Sequence, residues 1–344
     1  MSQAAAPLLV RCGALGDMVL LTPLIHLLAA RHGRPVELLT AGAWTRALLQ
    51  HDSAIGHLQV LGSRKSPYWL SPGQQRAVRW LRQRGRGPVY LCDTGADIRK
   101  LLARAGVRSE DTVDFLALES SLQAASPNWP DAWVALGMRD PQHGYPTRPV
   151  ADPAAFRIPT LTVTDAMRAD LAHWRVRHAL HGPLVLLQPG NKRTHKRGKL
   201  ATRQHNKHWP PERWAAVAAH ALAALPDAHV VLCGSPNEHG VLEDVRLAAA
   251  HPRVRNAARE LPVPRLLALL QAAHSMISVD TGPAHAAAAL VCPLVVLFGA
   301  APRAMWEPVG MAPIRILGGE RGADSRVQDI PAQAVIEAWD SLRA

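Results

Sequence analysis

Short apolar runs ending in small-residue turns constrain this chain more than any other feature. LLVRC leads into GALGD at Leu8–Asp17, HVVLC into GSPNE at His229–Glu238, and ISV into DTGPAH at Ile277–His285. Runs this short suit strands rather than buried helices, and each is followed by a longer amphipathic stretch. Strands joined by helical crossovers pair in parallel and need helices on the sheet faces, so the chain is confined to the α/β class.

The alternation comes in two series. The first has strands at Leu8–Cys12, Val36–Thr40, His57–Leu61 and Pro88–Cys92, with helices such as Gly73–Arg84 and Asp97–Ala105 between or after them. The second begins at LVLLQ, Leu184–Gln188, and runs through His229–Cys233, Ile277–Val279 and Leu294–Phe298. Between them Ser120–Pro159 is rich in proline and reads as an irregular linker. The expectation is two Rossmann-like domains facing a central cleft, 1–165 and 166–330, with a closing C-terminal helix at 331–344. Ligands of open α/β sheets sit beyond the carboxyl ends of the strands, so the turns after the strands are the places to look for chemistry.

With 344 residues and 48% hydrophobic content there is material for more than one core. The formal charge of +12 favours anionic partners: polyanions, an anionic membrane surface or phosphorylated substrates. Cys12, Cys92, Cys233 and Cys292 lie far apart in or beside apolar runs, without CxxC spacing, and read as buried thiols rather than disulfides or metal ligands. The N-terminus lacks the order of a signal peptide, and Met18–Ala30 is too short to span a bilayer. A cytoplasmic protein that touches a membrane surface fits these features.

Gly13 and Gly16 bracket a turn that allows close backbone approach. Asp17 reads either as an N-cap or as a general base for a hydroxyl proton. In DTGPAH the helix start offers free N–H groups to an anion; Asp280 or Thr281 caps it in the structural reading, while Gly282 and Pro283 shape the turn and His285 sits on the first helical turn. In GSPNE, Ser235 is a capping candidate, and Glu238 is either a first-turn acid or an acceptor for a ribose diol. Neither GxGxxG nor GxxxxGK is present, and HExxH and GxSxG are likewise missing.

The stretch NKRTHKRGKLATRQHNKHWP, 191–210, carries seven Lys/Arg, three His and no acid. It sits between a strand and a helix, where two to six residues is the usual length. A nucleic-acid arm would want interleaved aromatics, and Trp209 alone lies near. A phosphate-bearing small ligand suits the placement better.

VRCGALGDMVLLTP, NKHWPPERWAAVA, VVLCGSPNE and SVDTGPAHAAAAL, in that order, resemble the ADP-heptose:lipopolysaccharide heptosyltransferases, glycosyltransferase family 9. The resemblance implies a GT-B fold with the acceptor on the N-terminal domain and the nucleotide-sugar donor on the C-terminal one. It implies inverting transfer of heptose from ADP-L-glycero-D-manno-heptose to the lipopolysaccharide inner core, without metal or other cofactor. Asp17 matches the general base and Lys207 the lysine on the donor phosphates. Thr281 and Gly282 match the turn whose backbone binds diphosphate, Asp280 and His285 match the remaining positions of that motif near the donor and the reacting sugar, Glu238 matches the ribose acid, and Ser235 and Thr202 join the donor-binding positions. The loop before Lys207 is longer and more basic than the family's, and Asn128–Pro159 carries no family signature. The rival readings are a GT-B enzyme with another donor or acceptor, an epimerase-like nucleotide-sugar enzyme, and a basic nucleic-acid-binding α/β protein.

Overall fold

The computed structural model describes residues 4–125, 127–190 and 205–342. The chain divides into two compact units at Thr162/Val163. The first holds a five-stranded sheet built from β1 (Leu8–Val10), β2 (Val36–Ala41), β3 (Ile55–Leu61), β4 (Val89–Leu91) and β5 (Thr112–Asp114), in the order β3-β2-β1-β4-β5. The second holds β6 (Leu184–Gln188), β7 (His229–Leu232), β8 (Val254–Asn256), β9 (Ser275–Val279), β10 (Leu294–Phe298) and β11 (Ile314–Gly318), in the order β11-β10-β9-β6-β7-β8. All the pairings are parallel. Counted from its own first strand, each sheet has the doubly wound Rossmann order, reversing direction beside that strand.

Burial explains why these strands were visible in the sequence. β6, β9 and β10 are buried at every position. Helices cover both faces of such a sheet, so the strands are continuous apolar runs rather than alternating ones. In the first unit Leu8, Val10, Leu39 and Leu91 pack with Ala77, Val78 and Leu81 of the helix Pro72–Gln83 and with Ile98, Leu101 and Leu102 of the helix Ala96–Ala105. Each buried leucine or valine contributes roughly 1.5–3 kcal/mol relative to an exposed one. The sequence reading leaves out β5, β8 and β11. All three are edge strands, and each carries a charged residue, Asp114, Arg255 or Arg315.

The expected irregular linker is corrected in its first part. Phe115–Ala125 and Trp129–Gly137 are helices. Proline misled the reading, since Pro130 falls in the first turn of its helix, where the missing N–H costs nothing. Trp129 and Trp133 stack at 4.9 Å, and Phe115 lies 4.9 Å from Trp133. A Cβ on Gly137 would come within 2.7 Å of Leu24 and Leu27, so this glycine lets the helix close on Thr22–His32. The irregular reading suits the chain beyond, where buried Arg31 holds the carbonyls of Gly137 and Arg139 at 2.9 Å and the carboxylate of Asp140.

The helix Ala332–Asp340 packs on the second sheet through Val335 and Trp339, whose indole N–H donates to Ser275 Oγ at 2.7 Å. The four cysteines are free. Burial pushes the Cys12 and Cys292 thiols up to about 12, and Cys92 and Cys233 higher still, so all four stay protonated near neutrality. Among the described residues no helix is long and apolar enough to cross a membrane.

Candidate active site

Each sheet reverses its order between two neighbouring strands, β1 and β4 in the first unit and β6 and β9 in the second. The crevice beyond such a reversal is where doubly wound folds take ligands. Gly13, Gly16 and Asp17 follow β1, whereas Asp280, Thr281, Gly282 and His285 follow β9. Ser235 and Glu238 follow β7, the neighbour of β6, and Lys207 lies on the connection leaving β6. Thr202 lies outside the described residues, as does most of the basic stretch, 191–204.

In the first unit the N-cap reading of Asp17 is corrected. Ala14 is the N-cap of the helix Leu15–Leu20, and Asp17 is its third residue. From there one carboxylate oxygen reaches back to accept the Ala14 N–H at 2.8 Å, and the other accepts from Arg11 Nη2 at 2.6 Å. Arg11 is itself held, donating to the Cys92 carbonyl at 2.7 Å with its guanidinium 5.5 Å from the Trp133 ring. An ionised carboxylate accepts at about four sites, so these two bonds leave each oxygen open to a substrate hydroxyl. A Cβ on Gly13 would stand 2.3 Å from Asp17 Cβ, which explains the glycine that opens the turn.

Two participants escaped the sequence reading. Asp93, buried at the end of β4, accepts from the Cys12 N–H at 2.8 Å and from the Gly95 N–H at 2.8 Å. It faces Arg64 at 3.4 Å. A signal was present: Asp-Thr-Gly occurs at Asp93–Gly95 and again at Asp280–Gly282, each time following the strand that flanks the reversal.

In the second unit neither Asp280 nor Thr281 caps the helix Gly282–Ala289. Thr281 occupies the N-cap position, but its hydroxyl pairs with Ser278 Oγ at 3.1 Å and no side chain caps the helix. The buried Asp280 carboxylate instead meets Lys207 Nζ at 2.5 Å, and the same nitrogen donates to the Asp280 carbonyl at 2.8 Å. An ammonium has three donors, so among the described residues one remains beside a helix N-terminus that no side chain caps, a place that favours an anion. Trp209, two residues on, anchors Lys207's segment by donating to the Ile330 carbonyl at 2.9 Å. His285 is buried, 6.5 Å from the Trp306 ring.

Ser235 does not cap with its hydroxyl, which donates to Glu238 at 2.6 Å, and the Ser235 N–H donates to the same carboxylate oxygen at 2.8 Å. The other oxygen of Glu238 is buried without a partner, and a Cβ on Gly190 would lie 2.6 Å from it. Gln188 was missed, although it is a polar end to an apolar run. Its amide donates to the Gly190 carbonyl at 3.0 Å while its own oxygen is buried and unpaired. Leaving a buried acceptor unpaired costs roughly 1–3 kcal/mol, so two of them beside one glycine point to a ligand with hydroxyl or amino donors. Among the described residues no three His, Cys, Asp or Glu side chains gather as a metal-binding group.

Two doubly wound parallel sheets define an α/β protein, and its fold is similar to that of solved GT-B structures. ADP-heptose lipopolysaccharide heptosyltransferase II of E. coli superposes with a TM-score of 0.73 at 20% identity, covering 98% of both chains. The glycosyltransferase family 9 protein of Veillonella parvula DSM 2008 also gives 0.73, at 17% identity over 99% of this chain and 97% of that one. E. coli heptosyltransferase WaaC with ADP gives 0.62 at 16% identity over 98% and 99%. Residues 192–332 match the model of glycosyltransferase family 9 (heptosyltransferase). Lipopolysaccharide heptosyltransferase 3 of Escherichia coli is 33% identical over 154 residues, a stretch that spans 41% of this chain and 44% of that relative, less than half of either.

Proposed function

We propose that the chain is an inverting, metal-independent heptosyltransferase. It moves heptose from ADP-L-glycero-D-manno-heptose to the inner core of a lipid A-linked acceptor at the cytoplasmic face of the inner membrane. The observation that carries the reading is the Lys207–Asp280 pair at the uncapped N-terminus of Gly282–Ala289, inside the family 9 domain. Such a pair is built for a diphosphate, the group on which charge develops as an activated sugar departs.

The acceptor, held on the first unit, offers a hydroxyl to Asp17. The carboxylate takes its proton as the oxygen attacks the anomeric carbon, and the bond from that carbon to the diphosphate breaks. ADP leaves with the bonding pair, and its growing charge meets the third donor of Lys207 and the helix N–H groups. The unpaired oxygen of Glu238 accepts from the ribose hydroxyls, with Ser235 holding the carboxylate in place. Resemblance supports both the donor and the division of labour between the units.

A transfer assay with acceptors of defined core length, comparing ADP-heptose with UDP- and GDP-sugars, tests this directly. Transfer from ADP-heptose alone is expected; turnover with a UDP- or GDP-sugar and none with ADP-heptose overturns the donor assignment. Glu238→Gln keeps the size of the side chain and loses its charge. Its donor KM is expected to rise about tenfold with kcat nearly unchanged, the mark of a contact made equally in ground and transition states. Gly13→Ala drives a methyl against Asp17. Displacing a reacting group by about 1 Å costs on the order of 100-fold, so kcat should fall by that much with donor affinity intact. Isothermal titration beside steady-state kinetics separates the two effects.

A further inference from the structure

One segment of the first unit is not absorbed by the chemistry. Between Gly62 and Cys92 the chain has seven Lys/Arg and no Asp or Glu. Within it the 3-10 turn Tyr68–Leu70 carries Trp69 at 74% exposure and Leu70 at 59%, large apolar side chains presented to water side by side. The turn is held rather than loose. Gln75 Nε2 donates to the Tyr68 and Trp69 carbonyls at 3.2 and 3.1 Å. Buried Gln74 gathers the carbonyls of Ser63, Arg64 and Ser66 at 3.1, 3.3 and 2.8 Å. The Tyr68 ring lies 4.3 Å beneath the Arg104 guanidinium.

The charges beside the turn fall into two kinds. Arg84 pairs with Glu37, Arg86 with Glu110 and Asp111, and Arg64 with Asp93 and Asp97. Lys65, Arg76 and Arg79 are exposed and make no ion pair among the described residues. Arg76 and Arg79 share the outer stripe of the helix Pro72–Gln83 with Pro72 and Gln83, opposite its buried Ala77, Val78 and Leu81. A rigid Trp–Leu pair with exposed cations, in a segment that itself carries no acid, matches the interfacial layer of an anionic bilayer. There indole rings settle at headgroup level, and each Lys or Arg strengthens binding by about fivefold.

We propose that Tyr68–Leu70 and the Arg76/Arg79 face dock the first unit on an anionic lipid surface, with Trp69 and Leu70 entering the headgroup region. This deepens, and rests on, the reading that the acceptor is lipid-borne. Arg64 of the same loop donates to the Cys12 carbonyl at 3.4 Å, so the docking turn is tied to the turn that carries Asp17. A docked surface therefore brings a lipid-anchored sugar to the side of the first sheet beyond the carboxyl end of β1, where Asp17 lies.

The test is sedimentation of the full chain with vesicles of two parts phosphatidylcholine to one part phosphatidylglycerol, and with vesicles of phosphatidylcholine alone. The wild type is expected on the anionic vesicles only. Trp69→Ser with Leu70→Ser, and separately Arg76→Glu with Arg79→Glu, should each lower that binding by about tenfold. Both variants should retain wild-type melting curves and wild-type transfer to a delipidated, water-soluble acceptor. No binding of the wild type to anionic vesicles overturns the proposal, as does equal binding by the variants. It is also overturned if the serine variant changes oligomeric mass while vesicle binding persists, since the turn is then a face between copies of the chain. Vesicle binding that falls as expected in a protein without transferase activity leaves the docking surface standing and removes the heptosyltransferase reading instead.

Discussion

Asp17→Asn is expected to bind donor like the wild type and to lose transfer by roughly 100- to 10,000-fold, the range that general-base catalysis commonly contributes. Asparagine has the size of aspartate and can still accept the Ala14 N–H, so the helix start survives. Its amide cannot take a proton from a hydroxyl at neutral pH. The new NH2 or the altered charge also weakens the contact with Arg11, now 2.6 Å from a carboxylate oxygen. A charge-assisted bond of this kind contributes roughly 1.5–3 kcal/mol, so a modest fall in melting temperature should accompany the kinetic loss. Single-turnover transfer with saturating donor isolates the chemical step. Normal turnover in this variant would show that another group takes the proton.

Lys207→Ala should act twice. The Asp280 carboxylate, whose side chain is 9% exposed, loses the cation beside it, whose side chain is 21% exposed. Removing one partner of a largely buried pair costs on the order of 3 kcal/mol because the remaining charge is left uncompensated. The donor diphosphate loses the third ammonium donor as well, and its affinity should fall by about ten- to 100-fold. Melting curves measured with and without ADP separate the two effects, because ADP should then raise the wild-type melting temperature and scarcely move that of the variant. Lys207→Arg keeps the charge on a planar fork rather than a point donor, and should restore stability more fully than donor affinity. Unchanged donor affinity in the alanine variant would transfer the phosphate role to another residue of the basic stretch.

Particular residues show where reading the sequence succeeds and where it stops. The central strands were legible because burial on both faces forces unbroken apolar runs such as LVLLQ and LVVLF. Edge strands β5, β8 and β11 were not, since one free edge tolerates TVD and VRN. Pro130 signalled a break where it starts a helix. The strand-end turns were legible as places for chemistry, while the capping assignments within them went wrong at Asp17, Asp280 and Thr281. A cap is decided by a hydrogen bond of about 3 Å, and one-dimensional spacing cannot choose between the helix N–H and a competitor such as Arg11 or Lys207.

By itself the sequence determined the class of fold, the turns that matter and the excess of positive charge, because hydrophobic period and turn chemistry are local properties. Only the tertiary structure decided the partners. Arg11 meets Asp17 from just beyond the preceding strand, whereas Lys207 reaches Asp280 from 73 residues away. An oxygen of Glu238 is left unpaired beside Gly190, and Trp69 stands in water on a braced turn. Most of these facts depend on which strands lie side by side, a choice made by the packing of whole sheets.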